Sequence, residues 1–156
     1  MRRMIDSELL FNASASDLVA KLEFEFAMSA VGANAITWRL GFSDQTDNVP
    51  SATFVKQSSD TNWQAQTVDG SAGNTSTDTG ITPVVDTFDR FRIEVGTSVI
   101  RYFINERLVA AHVPASPMAQ LACYFRGACT DVASSYGRLS PLRVKWRRNV
   151  AATTVL

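Results

Sequence analysis

Lys21-Leu22-Glu23-Phe24-Glu25-Phe26-Ala27-Met28 is the stretch that decides the fold. Its even positions are all apolar, while Lys21, Glu23 and Glu25 point the other way. A period of two describes a half-buried strand with one face on a core and one in water. The same period returns at Ile36-Thr37-Trp38-Arg39-Leu40-Gly41-Phe42, at Arg90-Phe91-Arg92-Ile93-Glu94-Val95 and at Leu142-Arg143-Val144-Lys145-Trp146-Arg147. Strands with one apolar and one polar face are the mark of antiparallel sheets packed on one side.

Shorter strands are expected over residues 52–57, 62–68, 99–104, 107–112 and 119–126. Asn105-Glu106 separates two apolar runs by two residues, the first tolerant of positive φ, which predicts a tight hairpin. Helical patterning is confined to Ser14-Ala15-Ser16-Asp17, which reads equally well as a loop. Eight to ten strands at this spacing, with no internal repeat, predict one all-β domain, a two-sheet antiparallel sandwich. Residues 58–83 break the pattern with Ser, Thr, Asp, Asn, Gln and Gly, and read as a long surface meander. Trp63 within it argues against full disorder.

The chain has 156 residues, 46% hydrophobic and 19% charged, which fits a folded globular domain. Fifteen bases balance fifteen acids, excluding a generally basic nucleic-acid binder. The balance is uneven along the chain. Residues 1–39 carry four bases and five acids, 40–89 one base and seven acids, and 90–156 ten bases and three acids. If the acidic middle and the basic last third lie on different faces, one subunit's acidic patch meets its neighbour's basic one. No apolar run is long enough to span a membrane, and Asp6 and Glu8 interrupt what would be a signal peptide's apolar region. Asn12-Ala13-Ser14 and Asn74-Thr75-Ser76 read as chance glycosylation sequons. Cys123 and Cys129 lack zinc spacing and read as two thiols in preference to a bridge.

Catalytic sets are scarce. His112, the only histidine, lies on an expected strand and reads as structural. Glu23 and Glu25 alternate on one strand face as a glycosidase pair would, but beside Lys21 they read as a solvated face. Asp44, Asp47 and Asn48 form an oxygen-rich turn and are weak calcium candidates; no metal or other cofactor is expected. Arg143, Lys145, Arg147 and Arg148 surround Trp146, but Trp146 is in phase with Leu142 and Val144 and so faces the core. Nucleic acid is not an expected partner.

The segments Asp86-Thr87-Phe88-Asp89-Arg90-Phe91-Arg92-Ile93-Glu94-Val95, then Ile100-Arg101-Tyr102-Phe103-Ile104-Asn105-Glu106-Arg107-Leu108-Val109-Ala110, then Leu142-Arg143-Val144-Lys145-Trp146, resemble the late strands of concanavalin A-like jelly-roll domains of the lectin and glucanase type. Ile36-Thr37-Trp38-Arg39-Leu40-Gly41-Phe42-Ser43-Asp44 and Gly80-Ile81-Thr82-Pro83-Val84 are similar to segments of jelly-roll proteins in tailed-bacteriophage virions. The resemblance covers residues 19–148. The hydrolase branch of that fold carries a Glu-x-Asp-x-x-Glu strand motif that this sequence lacks, so glycosidase activity is not carried over.

The resemblance implies a non-enzymatic virion structural protein, such as a capsid decoration or head-fibre protein. It would dock on other virion proteins, self-associate as a homo-oligomer, and be assembled in the host cytoplasm. Residues 1–18 and 149–156 would be arms, with Arg143, Lys145, Arg147, Arg148, Val155 and Leu156 as assembly candidates. The alternative is a carbohydrate-binding module of a tail fibre or adhesin that recognises a host glycan, with Trp63, Tyr102 and Tyr136 as stacking candidates. No membrane partner is expected.

Overall fold

A computed structural model describes residues 18–29, 36–43, 50–69, 73–115, 122–129 and 137–146. Ten strands occur there and no helix: β1 (Leu18–Met28), β2 (Ile36–Ser43), β3 (Ser51–Lys56), β4 (Gln64–Val68), β5 (Asn74–Asp78), β6 (Asp89–Gly96), β7 (Ile100–Ile104), β8 (Arg107–His112), β9 (Ala122–Cys129) and β10 (Gly137–Trp146). They form two five-stranded sheets, ordered β10-β1-β6-β7-β8 and β5-β4-β3-β2-β9, with antiparallel neighbours throughout. The all-β sandwich expected from alternation is the observed architecture.

Period-two patterning places the core. Leu22, Phe24 and Phe26 of β1, Phe91 and Ile93 of β6, and Tyr102 and Ile104 of β7 face Leu40 and Phe42 of β2 and Phe54 of β3. The aromatic rings interlock across the two layers. Phe24 stacks on Phe91 at 5.2 Å, and Phe54 meets Phe91 edge-on at 4.9 Å. Trp38 lies against Phe26 at 5.0 Å; the Trp38 ring fills the space that a Cβ on Gly127 would occupy, and the Phe26 ring, with Trp38 beside it, fills that on Gly137.

The β7–β8 connection is the expected two-residue turn, with Asn105 at φ 50° and Glu106 at φ 65°. Positive φ at both positions is the turn whose twist matches the flanking strands. Asn105 also fastens the start of β6. Its amide N–H donates to the Arg90 carbonyl at 2.8 Å and its Oδ1 accepts from the Arg90 N–H at 2.9 Å.

The stretch 58–83 includes β4, the strand expected over 62–68, but departs from the expected meander at β5. It holds β4 and β5, and β5 is an exposed edge strand of polar residues, Asn74-Thr75-Ser76-Thr77-Asp78, with no apolar phase to betray it. Trp63 just before β4 is only 1% exposed, and its carbonyl accepts from the Thr79 N–H at 3.0 Å and the Thr79 hydroxyl at 2.7 Å. The segment turns at a buried lysine: Lys56 Nζ donates to the carbonyls of Gln57 at 2.7 Å and Asp60 at 2.6 Å.

Candidate functional site

The outer faces of the two sheets differ in chemistry. On the β10-β1-β6-β7-β8 sheet, charges sit opposite countercharges: Lys21 opposite Glu94, Glu23 opposite Arg92, Glu25 opposite Arg90, and Glu94 opposite Arg101. Ion pairs follow, Lys21–Glu23 at 2.6 Å, Arg90–Glu25 at 3.3 Å and Arg92–Glu106 at 3.2 Å, and the Arg92 guanidinium lies 3.8 Å from the Phe103 ring centroid. Glu23 and Glu25 are therefore members of a solvated ion-pair lattice. Arg90 and Arg92 of the basic third meet acids of β1, the hairpin turn and β6 itself within one chain.

The outer face of the β5-β4-β3-β2-β9 sheet carries hydrogen-bonding groups, the arginines Arg39 and Arg126, and Asp78 at its β5 edge. The residues between the inward Trp38, Leu40 and Phe42 are Arg39 and Gly41. In β4, Gln64 and Gln66 alternate with the inward Ala65 and Thr67, and in β9 Tyr124 and Arg126 flank the inward Phe125. Register then lines these groups up across the sheet. One row reads Tyr124, Gly41, Thr53, Gln66, Ser76, and the next Arg126, Arg39, Val55, Gln64, Asp78. Arg39 Nη1 donates to Gln66 Oε1 at 2.8 Å, so the guanidinium reaches from β2 to β4 across β3. Beneath it Thr53 and Val55 are 1% and 2% exposed, and Thr53 Oγ1 has no hydrogen-bond partner.

Two stacking candidates lie elsewhere. Trp63 packs in the core at 5.0 Å from Phe91, because position 63 is in phase with the inward Ala65. Tyr102, in phase with Ile100 and Ile104, is 0% exposed. Its hydroxyl donates to the Gln66 carbonyl at 2.8 Å, and burial pushes its pKa above the ordinary tyrosine range. Neither ring is available to stack on a sugar. Tyr136, Asp44, Asp47, Asn48, Arg147, Arg148, Val155 and Leu156 lie outside the described residues. Among the assembly candidates Arg143 is exposed on β10, opposite Glu23, and Lys145 lies on the same strand. Cys123 is a free cysteine. Cys129 is six residues further along the same extended strand, roughly 20 Å away at the usual rise, beyond the reach of a bridge.

His112 closes a polar chain inside the sandwich. Its Nδ1 lies 2.9 Å from Thr67 Oγ1, its Nε2 2.9 Å from Thr77 Oγ1, and Thr67 Oγ1 lies 2.6 Å from the Tyr102 hydroxyl. The single Tyr102 proton is committed to the Gln66 carbonyl, so Thr67 donates to Tyr102 and accepts from His112. That fixes the proton on Nδ1, with Nε2 accepting from Thr77. The chain ties β7 and β8 of one sheet to β4 and β5 of the other. Burial lowers the His112 pKa, so the native state takes up its proton less readily than the unfolded chain. Its contribution to stability is complete above about pH 6.5, the unfolded value, and is lost as pH falls towards the lower folded pKa. The melting temperature is therefore expected to drop between pH 7.5 and pH 5.5 by more in the wild type than in His112→Gln. Equal drops in both would show that His112 carries no such linkage.

No sequence-family model and no curated protein sequence matches the chain. Solved structures do match it. Sheep galectin-11 superimposes with a TM-score of 0.53 at 12% identity, over 78% of this chain and 90% of that one. The fold is a concanavalin A-like jelly roll. An alginate lyase from Pseudomonas aeruginosa gives a TM-score of 0.55 at 15% identity over 84% of this chain and 66% of the lyase. The carbohydrate-binding module CBM66 of Bacillus subtilis gives 0.53 at 9% identity, over 81% and 74%. The jelly roll thus serves both enzymes and non-catalytic binding proteins among these structures, and none of the three is a virion protein.

Proposed function

We propose that this jelly roll is a carbohydrate-recognition domain that binds a saccharide across the outer face of the β5-β4-β3-β2-β9 sheet. The observation that carries the proposal is the grouping of Arg39 on β2 with Gln64 and Gln66 on β4, across β3, with Tyr124 of β9 in the same row as Gln66. Guanidinium and carboxamide groups are planar and offer paired donors or a donor and an acceptor, which matches adjacent hydroxyls of a pyranose ring. Placing them on strands holds them in fixed geometry. The galectin and CBM66 matches support the reading at the level of fold. The reading is of binding without catalysis, supported by the burial of His112 with both ring nitrogens engaged inside the sandwich. Docking on virion proteins and self-association, implied by the sequence resemblance, would draw on β10 and Arg143, away from this face.

A glycan array probed with the full chain, with and without EDTA, tests the proposal alongside an Arg39→Ala/Gln66→Ala variant. The wild type is expected to retain at least one saccharide class, and the variant to lose about tenfold or more of that affinity with its fold intact. Absence of retention by the wild type, or equal retention by the variant, overturns it.

A further inference from the structure

We propose that two copies of this chain pair through β8, antiparallel and side by side, to make one continuous sheet of ten strands, five from each copy. The first observation is the edge itself. β8 closes the β10-β1-β6-β7-β8 sheet, and no strand pairs with its far side among the described residues. An open edge is a template for another chain, and proteins ordinarily guard it with charge or proline. β10, at the other edge of the same sheet, carries Pro141, Arg143 and Lys145. From Leu108 to Val113 the chain carries no acid, no Lys or Arg and no proline. Instead it shows water an apolar stripe. Leu108 is 51% exposed and Val113 78%, with Ala111 exposed between them. Leu108 stands opposite the outward Phe103, Ala111 opposite the outward Arg101, and Val113 follows the inward His112, so all three share the outer side.

The second observation is that the stripe is complementary to itself. Val109 is an extra residue in the β7–β8 ladder, where the register shifts between Tyr102 and Phe103. In a pair centred on Ala111, Ala110 of one copy stands opposite His112 of the other on the inward side. The extra residue then brings Leu108 of one copy opposite Val113 of the other on the outward side, and the two-fold axis makes that contact twice. Apolar cross-strand pairs of this kind stabilise a sheet. The ladder ends at Pro114, which has no N–H to give. Just beyond it the Ala115 N–H donates to Asp69 Oδ2 at 2.6 Å. Arg107 is exposed and has no acceptor among the described residues, and in this register it comes beside that carboxylate of the second copy. Charge is thus matched as well as apolar surface. The two-fold axis stands perpendicular to the sheet, so the outer faces of both β5-β4-β3-β2-β9 sheets point the same way.

Sedimentation velocity of the full chain at about 50 µM tests the pairing, and a dimer is expected. Leu108→Lys and Val113→Glu should each weaken it by about tenfold or more and leave the circular dichroism of the folded protein unchanged, both side chains being exposed. Leu142→Lys, on β10, should leave the dimer as it is. Mixing the Leu108→Lys and Val113→Glu proteins should restore dimer, because in the mixed pair one Leu108–Val113 contact becomes an ion pair and the other is intact. A monomeric wild type overturns the proposal, and so does a dimer that Leu142→Lys dissolves while both β8 variants keep it. A mixture that stays monomeric overturns the register centred on Ala111.

Discussion

Phe91→Ala is expected to lower the unfolding free energy by about 3–5 kcal/mol, a large share of the 5–15 kcal/mol typical of a domain. Phe91 is fully buried, and its ring is gripped from both layers. Phe24 of the same sheet stacks on it at 5.2 Å, and Phe54 and Trp63 from the facing layer meet it edge-on at 4.9 and 5.0 Å. Truncation removes the transfer free energy of the ring and leaves a cavity between two sheets whose backbone ladders resist collapse. The measurement is urea denaturation, with Leu108→Ala as comparator, since Leu108 is 51% exposed. A midpoint for Phe91→Ala close to that of Leu108→Ala would show that the cluster is not the centre of the core.

Gly41→Ala is the second large effect, of about 2–5 kcal/mol, from one added methyl group. Gly41 has φ +153°, and a Cβ there would lie 2.3 Å from the Ala52 carbonyl oxygen and 2.9 Å from the Thr53 Cα. Both are backbone atoms of the paired strand, so relief requires β2 and β3 to part. Backbone strain of about 1–3 kcal/mol adds to an overpacking cost of similar size. Gly80→Ala separates the two causes, because Gly80 has φ +68° and nothing within 4 Å of its would-be Cβ. Thermal melts should show Gly41→Ala as the more damaging by a clear margin; equal damage would mean that conformational strain alone is at work.

Where the sequence alternates, it was readable. β1 and β6 declare themselves because core and water impose a period of two, and the β7–β8 turn because few dipeptides suit positive φ twice. β5 was not readable: this edge strand holds only Asn, Thr, Ser and Asp, and its inward Thr77 bonds to His112 where an apolar side chain would have marked the phase. Trp63 and Tyr102 were misplaced although their phase was informative. Each shares an inward face with neighbours two residues away, Ala65 for the one and Ile100 and Ile104 for the other, and phase outweighs the general habit of aromatics to stack on sugars. The polar face was partly legible, since Arg39, Gln64, Gln66 and Arg126 all fall on the outward phase of their strands. What local sequence cannot contain is that β9 docks beside β2, which alone brings Arg126 to Arg39.

The pairing of β1 with β10 sets a condition on how the molecule is made. Ala20 partners Trp146 and Met28 partners Gly137, positions more than a hundred residues apart. At roughly 5–20 residues per second, on the order of 5–20 s separates the synthesis of the two strands. Through that interval β1, with its alternating apolar face, has one ladder edge waiting for a strand still inside the ribosome. The nascent chain therefore passes through a stage in which it is most able to pair with another chain, and slower initiation or a holding chaperone should raise the yield of folded protein more than any change to the finished surface.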